Sequence, residues 1–432
     1  VAHYVKLNDP VDKEAMNRGT SVYFPSHAVP MLPEVLSNNL CSLRENLNRL
    51  TLTCEMRICS EGNVTGYSIS ESIIRSKARL VYEDVADLIE GRPSSINNPK
   101  LKSNIRRMHK LAKILEKKRI KRGAVQFSFA EEVFEYDDDK QIVGVAKSYP
   151  SCSMKLIEQF MLEANETIAH HCVKNKIPAL FRVHDVPDSR KLRKMQQVFF
   201  RFGVRTPLAK LVNPRQFNNV IDQIQDLPQF EQLQVLLLRA IPLAIYLTVN
   251  KGHFGLAADY YAHFTSPIRR YPDLVVHRAI KQKINQQYYI NKKSQRNIIH
   301  NVSREMAELC SQQERRAEKA ERQSIDLMKV GFLAPRTGQT FQASVTSVEK
   351  RGFKVNLESH GIEWFLPIES MPDDSYYFDE TALFLHGRRK NRTLQVGQRL
   401  EIRLLRADPV YRMLDFEVER WLERVHDQNQ KL

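Results

Sequence analysis

Five short runs in the last hundred residues alternate apolar and polar side chains, whereas helical spacings dominate the first 330. Phe341/Ala343/Val345, Phe353/Val355/Leu357, Ile362/Trp364/Leu366, Leu400/Ile402/Leu404 and Leu414/Phe416/Val418 each repeat with a period of two. That spacing turns one side of a strand into a core. Gly352, Gly361 and Gly397 stand near the ends of the runs, so the pattern predicts a small five-stranded barrel. Ahead of it the dominant spacing is three to four. Ile105, Met108, Leu111 and Leu115 fall on one side of a helix over 101–122, and helices are also expected over 155–173, 229–247, 272–286 and from about Asn297 to Val330. The change of character falls near Gly331, with Pro335, Arg336, Thr337 and Gly338 as the linker. An α+β chain is expected: mixed helices and antiparallel sheet over 1–330, a small OB-fold-like barrel over 336–420, and a tail over 421–432.

Charge narrows the partners. The 432 residues hold 66 Lys and Arg against 50 Asp and Glu, a net of +16, and such an excess attracts polyanions. Residues 101–122 alone carry ten Lys/Arg and one Glu, which makes that helix either a solvated basic face or a surface that tracks phosphates. In the barrel, Phe353 with Lys350, Arg351 and Lys354 beside it offers an aromatic and a positive groove, the combination that binds single strands. The barrel's other reading is a structural appendage. No apolar run approaches the roughly 20 residues a bilayer span needs, so no membrane partner is expected. The opening VAHYVKL lacks an initiator Met and the apolar core of a signal peptide; a chain starting at Val is expected to be a fragment or a processed product. The six cysteines form no CxxC pair, and His170-His171-Cys172 has no standard ligand spacing, so a reducing, cytoplasmic setting is expected.

Residues 252–280 read GHFGLAADYYAHFTSPIRRYPDLVVHRAI. Ser266-Pro267 has the form of a helix start, a hydroxyl cap followed by a residue with no amide to strand. A helix amino terminus beside Arg269 and Arg270 would make an anion site, and the planar guanidinium fork suits phosphate better than an ammonium does. His253, His263 and His277 flank it and read as histidines that pack or cap locally.

This stretch resembles the signature of the RNase R/RNase II exoribonucleases, which share the RNB domain: an HFGL element, a Tyr four residues on, then FTSPIRRY followed by Asp and His. The likeness continues in RGTSVYFPS and VPMLPEVLSNNLCSL (18–43), SKARLVYEDV (76–85), KLIEQFMLEAN (155–165) and ALFRVHD (179–185). The wording is closer to RNase R, and the barrel resembles the S1-type OB-fold domain of the same proteins. The resemblance implies a processive 3′→5′ exoribonuclease that threads single-stranded RNA into a channel and, with Mg²⁺, releases nucleoside 5′-monophosphates. By motif it implies that Arg269 contacts the scissile phosphate, with Ser266 and Arg270 beside it. It further implies that Tyr82 stacks near the 3′-terminal nucleotide, that Tyr23 and Phe127 clamp bases, and that Glu158 and Glu321 lie close to the terminal nucleotide. Arg351, Phe353 and Lys354 are the barrel's expected RNA contacts, although Arg351 and Lys354 stand where the S1 pattern has aromatics.

One element of the family is missing. Its aspartate cluster, D-x₅-D-x-D-D, does not occur here; Asp137-Asp138-Asp139 reads as a hairpin turn and Asp373-Asp374 as a barrel loop. The expectation is therefore a monomeric piece of an exoribonuclease whose metal ligands lie upstream of Val1, and which binds RNA without hydrolysing it. The alternative is a non-catalytic RNA-binding relative.

Overall fold

A computed structural model describes residues 1–127, 129–139, 141–288 and 302–422. In chain order the elements are α1 (Pro10–Arg18), β1 (Val22–Tyr23), β2 (Ala28–Val29), β3 (Asn48–Ile58), β4 (Val64–Arg75), α2 (Tyr82–Glu90) and α3 (Pro99–Arg122). Next come β5 (Glu131–Tyr136), β6 (Ile142–Ser148), α4 (Cys152–Lys174), β7 (Phe181–Val183), α5 (Ser189–Arg201), α6 (Pro214–Ile224), α7 (Phe230–Ala240) and β8 (Ile245–Leu247). Then follow α8 (Tyr271–Tyr288), α9 (Arg304–Leu333), β9 (Thr340–Glu349), β10 (Gly352–Leu357), β11 (Ile362–Pro367), β12 (Tyr376–Asp379), β13 (Phe384–Gly387), β14 (Thr393–Leu394), β15 (Arg399–Asp408) and β16 (Met413–Trp421). The start of the helix expected from Asn297 lies outside the described residues. The helix expected over 229–247 ends at Ala240 instead. Pro242 disfavours helical backbone at the residue before it, Ile241 turns extended, and Ile245–Leu247 pairs with β7 as a strand.

Contacts divide the chain into two units that are not continuous in sequence: Val1–Val125, Pro150–Val186 and Leu243–Glu321 form one, and Gln126–Tyr149, Pro187–Pro242 and Arg322–Leu432 the other. In the first unit, α4 and α8 supply Ile168, Ala169, Cys172, Val276, Ala279 and Ile280 to a core shared with β7, and the long β3–β4 hairpin rests Leu52, Cys54 and Ile69 on it. A second core joins the amino-terminal segment to α8 and α9 through Val5, Ala15, Met31, Leu32, Tyr271, Leu274 and Cys310. Beneath it Asp12 is 3% exposed, accepts a hydrogen bond from the Tyr271 hydroxyl (2.9 Å) and pairs with Arg278 (2.7 Å). A buried carboxylate is tolerated because both its neighbours are donors.

In the second unit five strands stand in the order β11-β10-β9-β15-β16, as the alternation predicts. The two edge strands are bridged by Trp364, whose Nε1 donates to the Leu414 carbonyl (3.2 Å). The β5–β6 hairpin adds Phe134 and Val145 to the same core. Gly361 is required there: its φ is +66°, and a Cβ would lie 1.9 Å from the Val145 carbonyl oxygen. Asp137 closes that hairpin, its carboxylate accepting from the Gln141 amide (2.8 Å), as expected. The three-stranded sheet β12-β13-β14 inserted in the barrel was not anticipated.

Phe353 corrects one expectation. It is fully buried, with Val348 and Leu366 opposite it on the flanking strands, so it stabilises the barrel and has no face to offer a base. Lys354 points the other way and meets Glu363 (3.3 Å) while remaining half-exposed; Arg351 is exposed in the β9–β10 turn. These two cations stay accessible, whereas the Phe353 ring does not.

Candidate functional site

The SPIRR segment is a turn rather than a helix tip. Arg269 N and Arg270 N both donate to the Ser266 carbonyl (3.2 and 3.1 Å), but α8 begins only at Tyr271. What interrupts it is the amino-terminal strand: Thr20 and Arg270 form an antiparallel bridge, and Tyr271 N donates to the Gly19 carbonyl (2.9 Å). Gly19 permits that approach; its φ is +68°, and a Cβ would sit 2.7 Å from the Cβ of Gln313 on α9. Ser266 therefore does not cap the helix with its hydroxyl. Its amide donates to Asp273 (2.7 Å).

Arg270 closes the turn from inside. Its Nε and Nη2 donate to the two Asp273 oxygens (2.9 and 3.0 Å), a bidentate pair of the strong kind. Asp273 is fully buried, and burial pushes its carboxyl up while Arg270 pulls it back. Two of the three Arg270 nitrogens, Nε and Nη2, are thus held by Asp273. Arg269 is the opposite case. Its carbonyl is held by the Ser21 amide and the Thr20 hydroxyl (both 3.0 Å), so its backbone is fixed, while its side chain is exposed. Among the described residues its guanidinium has no hydrogen bond or ion pair.

Two other predicted residues join this turn. Two residues beyond Ser21, the Tyr23 amide donates to Glu321 Oε1 on α9 (2.7 Å), and the Tyr23 ring is 48% exposed. One Glu321 oxygen thus anchors the strand that carries the aromatic. Tyr82 and Glu158 make a second group. Tyr82 opens α2 with its ring 45% exposed, and its carbonyl accepts from Ser153 on α4 (2.7 Å). Glu158, further along α4, faces Arg119 of α3 at 3.5 Å and stays half-exposed. Phe127 lies in the other compact unit, stacked on Phe129 with ring centres 5.7 Å apart.

The histidines are structural, as their context suggests. His263 accepts from or donates to the Tyr246 hydroxyl at 2.7 Å, and burial, with Arg270 and Arg182 nearby, holds its imidazole well below the ordinary value. His277 bonds the Phe264 carbonyl (2.8 Å) and is lowered by burial to about 4. His253, edge-on to His184, is lowered by burial to about 3. Arg182, whose guanidinium lies 4.8 Å from the Tyr246 ring centre and pairs with Glu314, completes a buried polar floor near the turn. Sequence reading missed it, although a cation between Phe181 and Val183 in an otherwise apolar strand was the available signal.

A divalent cation such as Mg²⁺ needs several converging oxygen ligands. Among the described residues no three Asp, Glu, His or Cys side chains come together to hold a metal, so the residues present do not fit one. No described helix is long and apolar enough to cross a membrane.

The RNB domain matches residues 1–286 and the S1 RNA binding domain residues 334–419. Ribonuclease R of Escherichia coli is 38% identical over 423 residues, covering 97% of this chain and 52% of that protein. Ribonuclease R of Thermotoga maritima is 37% identical over 417 residues, 96% of this chain and 58% of that protein. The chain thus spans about half the length of the curated relatives it matches. Mycoplasma genitalium RNase R, solved in complex with ribose methylated single-stranded RNA, superposes with a TM-score of 0.86 at 27% identity over 96% of this chain and 65% of that one. With an RNB domain over most of its length and an S1 RNA binding domain behind it, the chain belongs to the RNB-domain family.

Proposed function

We propose that this chain is the strand-receiving part of a processive 3′→5′ exoribonuclease of the RNase R kind, acting in the cytoplasm on single-stranded 3′ ends and structured RNA and releasing nucleoside 5′-monophosphates. The observation that carries the reading is Arg269: its backbone is held by Thr20 and Ser21, and its side chain is exposed, with no partner among the described residues. Such a group is available to donate to a phosphate oxygen as charge builds on it. Exposed Tyr23 and Tyr82, together with Phe127, supply ring faces for bases, which suits a sequence-blind reader. Glu158 sits near the terminal nucleotide, and Glu321 acts by holding the Tyr23 strand. In the barrel, Arg351 and Lys354 attract the backbone by charge.

The intact parent uses Mg²⁺, and the 432-residue chain alone binds RNA without cleaving it, because no donor set for the ion exists among the described residues. The same absence favours the second reading, a non-catalytic RNA-binding relative. An exonuclease assay decides between them. A version lengthened at its amino end is expected to release mononucleotides only with Mg²⁺, and Arg269→Ala to slow it about 10²–10³-fold. Mg²⁺-dependent release by the 432-residue chain alone would refute the inactivity claim, and an inert lengthened version would favour the binding protein.

A further inference from the structure

The second compact unit holds a cavity of about 410 Å³ bounded by α5, α7, β9 and β12. Its walls are mostly apolar: Met195 and Val198 on α5, Val235 and Leu236 on α7, Val348 on β9 and Phe378 on β12. Two polar atoms of the lining residues Gln232 and Ser347 lack a partner. Gln232, on the first turn of α7, is 7% exposed, and its Nε2 donates to the Val348 carbonyl (2.7 Å). A carbonyl takes only a donor, so the other amide atom, Oε1, is an acceptor. It is buried with no hydrogen bond among the described residues, and so is the Ser347 hydroxyl one position before Val348. A buried polar atom without a partner costs stability, and native proteins leave few of them. Two beside one cavity mark a place where a partner comes from outside the chain.

Charge in the lining narrows the ligand further. The carboxylates that line the cavity are each met by a cation: Glu231 by Lys147 (3.2 Å), Glu349 by Arg239 (3.0 Å), Glu363 by Lys354 (3.3 Å) and Glu380 by Lys350 (3.9 Å). Lys194 on α5 lines the same cavity, is exposed, and has no partner among the described residues. We propose that the cavity binds a nucleoside 5′-monophosphate. The faces of the base lie against the apolar walls. Every nucleobase edge carries an N–H for Gln232 Oε1 to accept, beside an acceptor for the Ser347 hydroxyl. The phosphate meets Lys194, whose ammonium is a compact point charge. Ligand pockets span about 300–1,000 Å³, and this one has room for a single nucleotide rather than a strand. The choice of occupant rests on the proposed exoribonuclease reading, because that reaction releases this class of molecule. The cavity is nevertheless separate from the Arg269 turn, which belongs to the other compact unit.

Titration calorimetry of the 432-residue chain with AMP tests this, with ribose 5-phosphate (no base) and adenosine (no phosphate) as partial probes. AMP should bind saturably, and each partial probe about fivefold or more weakly. Ser347→Ala and Lys194→Ala should each weaken AMP by about fivefold or more, and Val235→Trp, which fills the cavity, should abolish its binding. Gln232→Met should act likewise, but it also gives up the Val348 bond; Ser347→Ala breaks no hydrogen bond of the fold and keeps the test decisive. Ser347→Ala and Val235→Trp should bind a single-stranded oligoribonucleotide as the parent does, and Arg269→Ala should bind AMP as the parent does. Failure of this site and failure of the exoribonuclease reading are thereby told apart. Absence of AMP binding overturns the proposal, and so does binding that survives Val235→Trp but is lost in Arg269→Ala. Adenosine bound as tightly as AMP would leave Lys194 without a role and overturn it as well.

Discussion

Arg269 and Arg270 carry the same side chain on adjacent positions, and what separates them is the carboxylate within reach. Asp273 lies on the first turn of α8, fully buried, and only Arg270 meets it. Removing one partner of a buried pair strands the other without water, at a cost of about 3–5 kcal/mol. Asp273→Asn is therefore expected to lower the urea midpoint sharply, whereas Arg269→Ala, which removes an exposed group, leaves it in place. Equal midpoints for the two variants would mean that the inner pair contributes nothing. The sequence shows two arginines in a turn; it does not show that a carboxylate three residues on takes one of them, because that depends on the strand at Thr20 stopping the helix short.

At the scale of elements, the histidine-bearing segments set a pH window. His277 and His253 have folded-state values of about 4 and about 3, below the ordinary 6.5 of an unfolded histidine. Their neutral forms are what the fold buries. The stability they lend is present above about 6.5 and is lost as pH falls from there toward 4 and 3. Thermal unfolding of the chain should weaken already between pH 6.5 and 5, above the carboxylate range, and His277→Gln should flatten part of that slope. A flat midpoint over that interval would contradict the burial of neutral rings. Legibility differs among elements for physical reasons. The barrel strands and most helices could be read because one side of each is continuously apolar. The same alternation placed Phe353 with Val355 and Leu357 on the inward side, so treating it as a stacking surface ignored the pattern that located it. The β12-β13-β14 insertion has strands of two to four residues, too short to show a period. The Arg182–Glu314 pair joins positions 132 residues apart, beyond any local rule.

For the whole molecule, the charge of +16 is an attraction without an address until the structure sorts its sources. Arg122, Lys118 and Arg119 hold α3 to α4 and Arg270 holds its own turn. Arg269, the barrel's Arg351, and Arg106, Lys110, Lys113, Lys117 and Lys121 of α3 remain exposed. The central claim is that Arg269 receives the backbone of a single RNA strand. Fluorescence anisotropy of a labelled single-stranded oligoribonucleotide, titrated at fixed salt with the chain and with Arg269→Ala, tests it most directly. A charge-assisted hydrogen bond contributes about 1.5–3 kcal/mol, so the variant should bind roughly 10- to 100-fold more weakly with its unfolding midpoint unchanged. Indistinguishable affinities for the two proteins would contradict the account.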